Sequence, residues 1–267
     1  MEKIGFIGAG TVGTALALRL CEKGYPVIAV SSRSLASAER LAKVVPSCRV
    51  YATVQEVEDF AEFVFITTSD DAIPKIAAQV NWRSHQKVVH CSGADSVDVL
   101  ESARKACAAV GCFTPLQTFA SLDQAINNLS GSTFALEAEE PLLTLLTEMA
   151  KALDGNSVVL KAGDKELYHA AAVFACNYVV TLVKLATDLW QAFGVSQDRA
   201  TQALLPLLQG TVKNIGNIGL PNCLTGPIAR GRCRHRKKAA ESTGNRRSGP
   251  GLCLFRACAT NHTDSFG

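Results

Sequence analysis

The chain has 267 residues, 48% of them hydrophobic, and a formal charge of +3, which suits one or two domains with a sizeable core. That charge is uneven: residues 232–267 hold eight Lys or Arg against two acids, leaving nineteen bases against twenty-two acids, or −3, in residues 1–231. A mildly acidic body excludes a nucleic-acid binder that works through bulk positive charge.

The opening MEKIGFIGAG enters a strand-like run without a basic n-region, an apolar h-region or a small-residue cleavage site. No secretory leader is expected, and the cytoplasm is the expected compartment. β-Branched or aromatic runs at residues 3–7, 27–30, 49–52, 63–67, 88–91 and 111–113 read as strands. They alternate with stretches of helical period, the signature of a parallel sheet. Residues 11–23 end at Gly24 as a helix does, Ser34 caps the next helix, Asp70 or Asp71 the one after the fourth strand, and Asp95 or Ser96 another. TFALEA, a helix over 139–153 and SVVL extend the sheet. Residues 164–194 then keep helical period for about thirty positions, a helix that crosses a whole domain. A second helix covers 196–215, closed by Gly216, Gly219 and Pro221.

Cys21, Cys91, Cys107, Cys112 and Cys176 lie in apolar periodic segments, where a thiol behaves as a small hydrophobe, so they are expected as reduced core residues. The most apolar run, residues 170–180, is shorter than the ~20 residues of a membrane span and carries Asn177, so no transmembrane helix is expected.

In KIGFIGAGTVG the glycines Gly8, Gly10 and Gly13 stand in G-x-G-x-x-G register directly after the first strand and at the start of a helix. Gly8 permits the tight turn, Gly10 lets backbone approach a pyrophosphate, Gly13 lets helix and strand pack closely, and the helix N-terminus supplies free N–H groups. Gly8, Ala9, Gly10, Thr11, Val12 and Gly13 are therefore the candidate dinucleotide loop. At the end of the second strand, where a carboxylate would bind the 2′-hydroxyl of NAD, the sequence reads VSSRS, with no acid between Gly24 and Ala38. Ser31, Ser32 and Arg33 suit a 2′-phosphate instead, so NADP is the expected cofactor. The plainer reading makes Arg33 a solvated loop residue and Ser34 a helix cap.

Ligands of open α/β sheets lie beyond the carboxyl ends of the strands. Thr67, Thr68 and Ser69 follow the fourth strand and are candidates to line a ribose. Ser92 and Gly93 follow the fifth, beside the nicotinamide or substrate, with Thr114, Pro115 and Gln117 as the opposite wall. Asp70 and Asp71 read as helix caps, and His90 as either a core histidine or a site residue.

HCSGA, FTPLQTF, YHAAAVFACNY and LTGPIARG, in that order, resemble one family: Rossmann-like NADP oxidoreductases with a C-terminal helical domain of unknown function, related to pyrroline-5-carboxylate and ketopantoate reductases. The resemblance covers about residues 3–231. It implies an α/β fold, a Rossmann doubly wound parallel sheet over residues 1–160 followed by an all-helical domain over 161–231 that is often dimer-forming. It further implies NADP use and an unspecified small substrate; related reductases use a deazaflavin, which stays open. Relatives in the wider 6-phosphogluconate dehydrogenase superfamily place a Lys and an Asn four residues apart on the long helix beside the nicotinamide. Asn177 matches the Asn, and the position four earlier is Val173.

On that helix, Asn177, Thr181 and Lys184 fall within about 60° of one another, with His169 farther round. An Asn among apolar residues either bonds a neighbouring helix or faces a cleft. The catalytic candidates are Asn177 and Ser92 as hydrogen-bond donors and His169 as proton donor, in hydride transfer between NADPH and a small carbonyl or imine compound. The other function class is a dinucleotide-binding protein without catalysis, a sensor or a damaged enzyme. Partners are expected to be a small-molecule substrate and a second copy of the chain, with no nucleic acid, membrane or metal.

After Gly231 the apolar period stops and a basic, Cys-rich tail follows over residues 232–267. A sudden shift without a linker reads as translation in a wrong frame, with disorder expected. The sharper readings are a nuclear address or nucleic-acid arm in RCRHRKK, and a zinc set from Cys253, Cys258 and His262 with Cys233 or His235.

Overall fold

The computed structural model describes residues 1–225. Its first half runs β1 (Ile4–Ile7), α1 (Thr11–Glu22), β2 (Val27–Ser31), α2 (Leu35–Val44), β3 (Arg49–Val50), α3 (Val54–Phe60) and β4 (Phe63–Ile66). Then follow α4 (Ile73–Gln79), β5 (Lys87–His90), α5 (Glu101–Lys105), β6 (Ala109–Leu116), α6 (Leu122–Leu129), β7 (Thr133–Ala138), α7 (Leu142–Ala152) and β8 (Asn156–Val159). The chain ends its described part in α8 (Asp164–Ala175), α9 (Asn177–Gln191) and α10 (Gln197–Ile218).

Period-two alternation decides what each strand buries on which face. Phe6, Phe63, Phe65 and Val89 enter one core with α1, α2, α6 and α7, whereas Ile7, Val64, Ile66 and Val88 enter a second with α3, α4 and α5. The strands are apolar on both sides because helices cover both. Across the first face runs a row of rings: Phe6 on Phe65 at 5.0 Å, Phe65 against Phe113 at 5.9 Å, and Phe113 on Phe134 at 4.6 Å. Each such pair contributes about 0.5–1.5 kcal/mol beyond its buried area, and the row ties β1, β4, β6 and β7 together.

The sheet order is β3-β2-β1-β4-β5-β6-β7-β8. Pairing is parallel through β6, as expected of a doubly wound sheet. The far end adds one reversal to this parallel-dominated sheet: β7 runs antiparallel to β6, and β8 pairs parallel with β7. Leu116 pairs with Thr133, so residues 117–132, with α6 among them, leave and re-enter the sheet at one end instead of crossing it. The open edge, β8, has four exposed residues.

Ser34 caps α2 by accepting the Ser37 N–H at 3.4 Å, and Ser96 caps a 3-10 turn at Val97–Leu100. Asp70 and Asp71 do not cap a helix; they form a 3-10 turn, Asp70–Ala72, that leads into α4 with its first-turn Pro74. Cys107 is exposed at φ 62° on the turn after α5, not in the core, while Cys112 is buried; the cysteines of the described residues are free thiols.

The expected thirty-residue helix is interrupted at Cys176, whose φ −118° and ψ −70° lie off the helical values. Three β-branched residues, Val179 to Thr181, follow after Asn177 and Tyr178, and the Thr181 hydroxyl donates back to the Asn177 carbonyl at 3.3 Å, an arrangement that bends helices. Taken together, Asp164–Gln191 is long and apolar enough to cross a membrane by length and composition, with 6% of the tested window buried. The expectation of no transmembrane helix rested on the run 170–180 alone, and length and composition over the longer stretch do not by themselves make it a membrane span. Two compact units result, Met1–Cys176 and the part from Asn177 onward. The first extends past residue 160 because α8 is tied to the sheet through its one buried residue, Lys165. In the second, α9 buries only Thr187 and α10 only Ala200, while Val180, Leu182, Leu207 and Val212 are exposed. The whole basic tail, with Cys233, His235, Cys253, Cys258 and His262 of the zinc reading and the basic run of the nuclear-address reading, and all of the TGPIARG motif after Thr225 lie outside the described residues.

Candidate functional site

The turn after β1 is held from both sides. The Gly8 N–H donates to the Ser31 carbonyl at 2.8 Å, the Thr67 N–H to Ile7 at 2.8 Å, and the Thr67 hydroxyl to the Gly8 carbonyl at 2.8 Å. Gly8 sits at φ +107°, and a Cβ there would lie 2.8 Å from the Thr67 backbone. A Cβ on Gly13 would stand 2.3 Å from Thr67 Oγ1 and 2.7 Å from the Gly8 carbonyl, so helix and strand approach as closely as glycine allows. Gly10 differs: a Cβ would meet nothing within 4 Å. Its free side opens on a cleft of about 310 Å³ lined by Gly10, Thr11, Val12, Thr67, Thr68, Ser69, Asp70, Cys91 and Phe119. At the head of α1 no side chain caps the first N–H groups and no acid occupies the first turn. Uncapped N–H groups, the positive end of the helix dipole and open space beside Gly10 fit a pyrophosphate.

Of the remaining cofactor candidates, Ala9 packs into the core and offers backbone only, and Thr67 spends its hydroxyl on the loop. Thr68 is half-buried and Ser69 exposed on the cleft wall. Ser31 is buried at the end of β2, Ser32 half-buried and Arg33 exposed, which leaves the guanidinium free for a phosphate.

The second polar cluster lies at the carboxyl ends of β5 and β6. Lys165, in the first turn of α8, is 3% exposed. Its Nζ donates to Cys112 Sγ at 2.9 Å and to Thr114 Oγ1 at 3.2 Å, and lies 5.7 Å from the centre of the Tyr168 ring. Thr114 in turn donates to the Ser92 carbonyl at 2.7 Å. An ammonium carries three donors, of which two are taken here. The Tyr168 hydroxyl is buried without a hydrogen-bond partner in the described residues, and burial, with the Cys112 thiol beside it, pushes the phenol up to about 12. His169 places Nδ1 3.8 Å from where a Gly93 Cβ would stand. Burial, reinforced by the Lys165 charge, lowers His90 to about 3. Its Nδ1 accepts the Ser92 N–H at 3.1 Å, so His90 is the core histidine of the two readings.

Ser92 is brought to this cluster, but its hydroxyl is committed. It donates to Asp95 at 3.1 Å and accepts from the Ala94 and Asp95 N–H groups at 3.2 and 3.0 Å, closing a local turn. No hydrogen remains for a substrate. Asn177 opens α9 in the second unit and is exposed, so the argument from its burial does not hold. Gln117 is exposed and accepts from the Thr118 N–H. Among the described residues no group of three or more His, Cys, Asp or Glu could hold a metal.

Lys165 was missed as a candidate. The residue four ahead of Asn177 is Val173, whereas Lys165 and His169, both in α8, have that four-residue spacing. The available signal was a lysine in the first turn of a helix that directly follows the last strand.

A doubly wound sheet, a glycine turn without steric allowance and an uncapped helix start define a Rossmann-type α/β protein, here with helices appended. Two family models match the chain: the Rossmann-like domain over residues 1–115, and the domain of unknown function DUF2520 over residues 132–243, past Gly231. The chain thus pairs a Rossmann-like domain with a DUF2520 domain, as its motifs suggest. No curated protein matches it. Among solved structures, a Thermotoga maritima protein is 25% identical, with 96% of this chain and 95% of that one covered and a TM-score of 0.77. A candidate NADP oxidoreductase of Bacteroides fragilis is 24% identical over 97% and 96%, TM-score 0.73. A reductive aminase of Aspergillus terreus in complex with NADPH and ethyl levulinate is 17% identical over 97% and 92%, TM-score 0.71. At these identities the likeness establishes the fold.

Proposed function

We propose that this protein is an NADPH-dependent reductase of a small carbonyl or imine compound. The observation that carries the reading is Lys165: a buried amine with one uncommitted donor, at the carboxyl end of the sheet that also bears the anion-accepting turn. Gly8 to Gly13 would hold the pyrophosphate, Thr68 and Ser69 the wall beside it, and Arg33 with Ser32 the 2′-phosphate. When bound, the reduced nicotinamide supplies a hydride. The chain's part is to hold the heteroatom of the acceptor group and protonate it. Lys165 Nζ is assigned that proton, with the Tyr168 hydroxyl as the second donor and Cys112 and Thr114 fixing the direction of the amine. Water is kept from the amine by its 97% burial. The names of the Bacteroides and Aspergillus neighbours, which include NADP or NADPH, support the same cofactor.

The reading extends to a cytoplasmic homodimer. The exposed apolar side chains of α9 and α10 support a second copy as their cover, which also accounts for a helix of membrane-like composition in an enzyme-like chain. The test is a fluorescence titration with NADPH and NADH, followed by a panel of ketoacids, aldehydes and cyclic imines. Saturable preference for NADPH with turnover of one panel member is expected. Binding without turnover across the panel would favour the non-catalytic reading, and no binding of either nucleotide would overturn both.

A further inference from the structure

Cys112 orients the amine in the transfer proposed above but neither gives nor takes the proton, and its sulfur is 2.9 Å from Lys165 Nζ. That separation is ordinary for an N–H···O bond, although sulfur is the larger acceptor. Both groups are buried, Cys112 at 0% and Lys165 at 3% exposure. Thr114 Oγ1 touches both, 3.0 Å from the sulfur and 3.2 Å from the nitrogen. Because its own hydrogen goes to the Ser92 carbonyl, it presents lone pairs to this pair and holds them in register. Burial limits the access of water to thiol and amine. Two nucleophiles so held are poised to be joined by one inserted atom.

We propose that Lys165 and Cys112 form a site of oxidative modification, a covalent Nζ–O–Sγ bridge made with dioxygen. The amine form of Lys165 gives up one hydrogen and the Cys112 thiol gives up its own. One oxygen atom forms the N–O and O–S bonds, and the other leaves as water with the two hydrogens. Nitrogen and sulfur each lose two electrons, and dioxygen takes up four. Thiol reduction returns amine, thiol and water. Burial explains why the product is a bridge: the stepwise ladder to sulfinic and sulfonic acids needs room and solvent that this sulfur lacks. The consequence for turnover rests on the reductase reading, because a bridged Lys165 has no proton to give; the bridge itself does not.

The purified full chain is held in air-saturated buffer and, in parallel, under anaerobic conditions, and both are weighed intact and after trypsin digestion. The bridged chain gains one oxygen and loses two hydrogens, about 14 Da. The gain is expected in air only, in a peptide pair linking Cys112 to Lys165, reversed by dithiothreitol and absent from Cys112→Ser. Exposed Cys107 reports that oxidant was present. Its oxidation with no change at Cys112, or a gain of two or three oxygens at an unlinked Cys112, overturns the proposal. NADPH titration and panel turnover are read on the same samples. Turnover falling with the bridged fraction while NADPH binding holds supports both readings. A linked peptide in a chain that turns over no panel member supports the bridge and removes the reductase reading alone.

Discussion

Alanine at Gly10 and at Gly13 should separate binding from stability. At Gly13 the new methyl would stand 2.3 Å from Thr67 Oγ1 and 2.7 Å from the Gly8 carbonyl, and backbone cannot yield as a flexible side chain would. Overpacking of this kind costs about 1–3 kcal/mol, and displacing the Thr67–Gly8 hydrogen bond adds about 1 kcal/mol. For a protein of this size that lowers Tm by roughly 5–15 °C. At Gly10 the backbone angles, φ −75° and ψ −174°, suit alanine and nothing lies within 4 Å. Only the lost preference for glycine at a helix N-cap is felt there, about 0.5–1 kcal/mol. The methyl instead fills the space assigned to the pyrophosphate, so NADPH affinity should fall by about tenfold or more, about 1.4 kcal/mol. Differential scanning fluorimetry and NADPH titration on both variants read the two effects independently. Native NADPH affinity in Gly10→Ala would refute the assignment of the cradle, and a native Tm in Gly13→Ala would refute the packing argument.

Lys165→Met should lower kcat by about 10²–10⁴ and leave the NADPH dissociation constant unchanged; an equal loss of binding would place Lys165 outside the proton transfer. Arg33→Ala should weaken NADPH by about tenfold, at the low end for a charge-assisted contact because the side chain is exposed, and hardly affect NADH. Equal losses for both would remove the 2′-phosphate role. Burial holds His90 at about 3 in the folded chain, against an ordinary imidazole value of 6.5. Between these values the unfolded chain binds the extra proton, so stability drops as pH falls below about 6.5, at up to about 1.4 kcal/mol per pH unit. Urea unfolding from pH 7 to pH 5 should show a shallower decline in His90→Gln; identical slopes would show that His90 takes up its proton equally in both states.

The parts of the fold legible in the sequence are those where composition leaves one option. Phe63 to Ile66 is a run of four apolar residues that only a strand covered on both sides can bury, and Gly8, Gly10 and Gly13 have spacing and context that no other turn needs. The direction of β7 was not legible, because TFALEA alternates equally well in either sense; the pairing of Leu116 with Thr133 is a property of the path taken between them. The commitment of Ser92 was hidden for a related reason: short hydroxyl side chains bond nearby backbone, and a residue pattern does not say whether one will close its own turn. Lys165 was obscured by the usual rule that lysines face solvent. In α8 the order is inverted, with Leu167 and Phe174 exposed and the lysine buried, and a pattern of apolar residues points to the wrong face.

A sheet that does not close on itself must end somewhere, and each end is a row of unpaired N–H and C=O groups on which another chain can add a strand. Here both ends are kept short. β3 contributes two residues and β8 four, and β8 opens with Asn156 and Ser157, residues of low strand preference. Val158 and Val159, 41% and 51% exposed, are the remaining adhesive part of that edge. Protection against edge-to-edge stacking therefore rests on two small polar side chains at the start of β8. Replacing them by valine would leave the fold intact and convert a soluble edge into a template for aggregation.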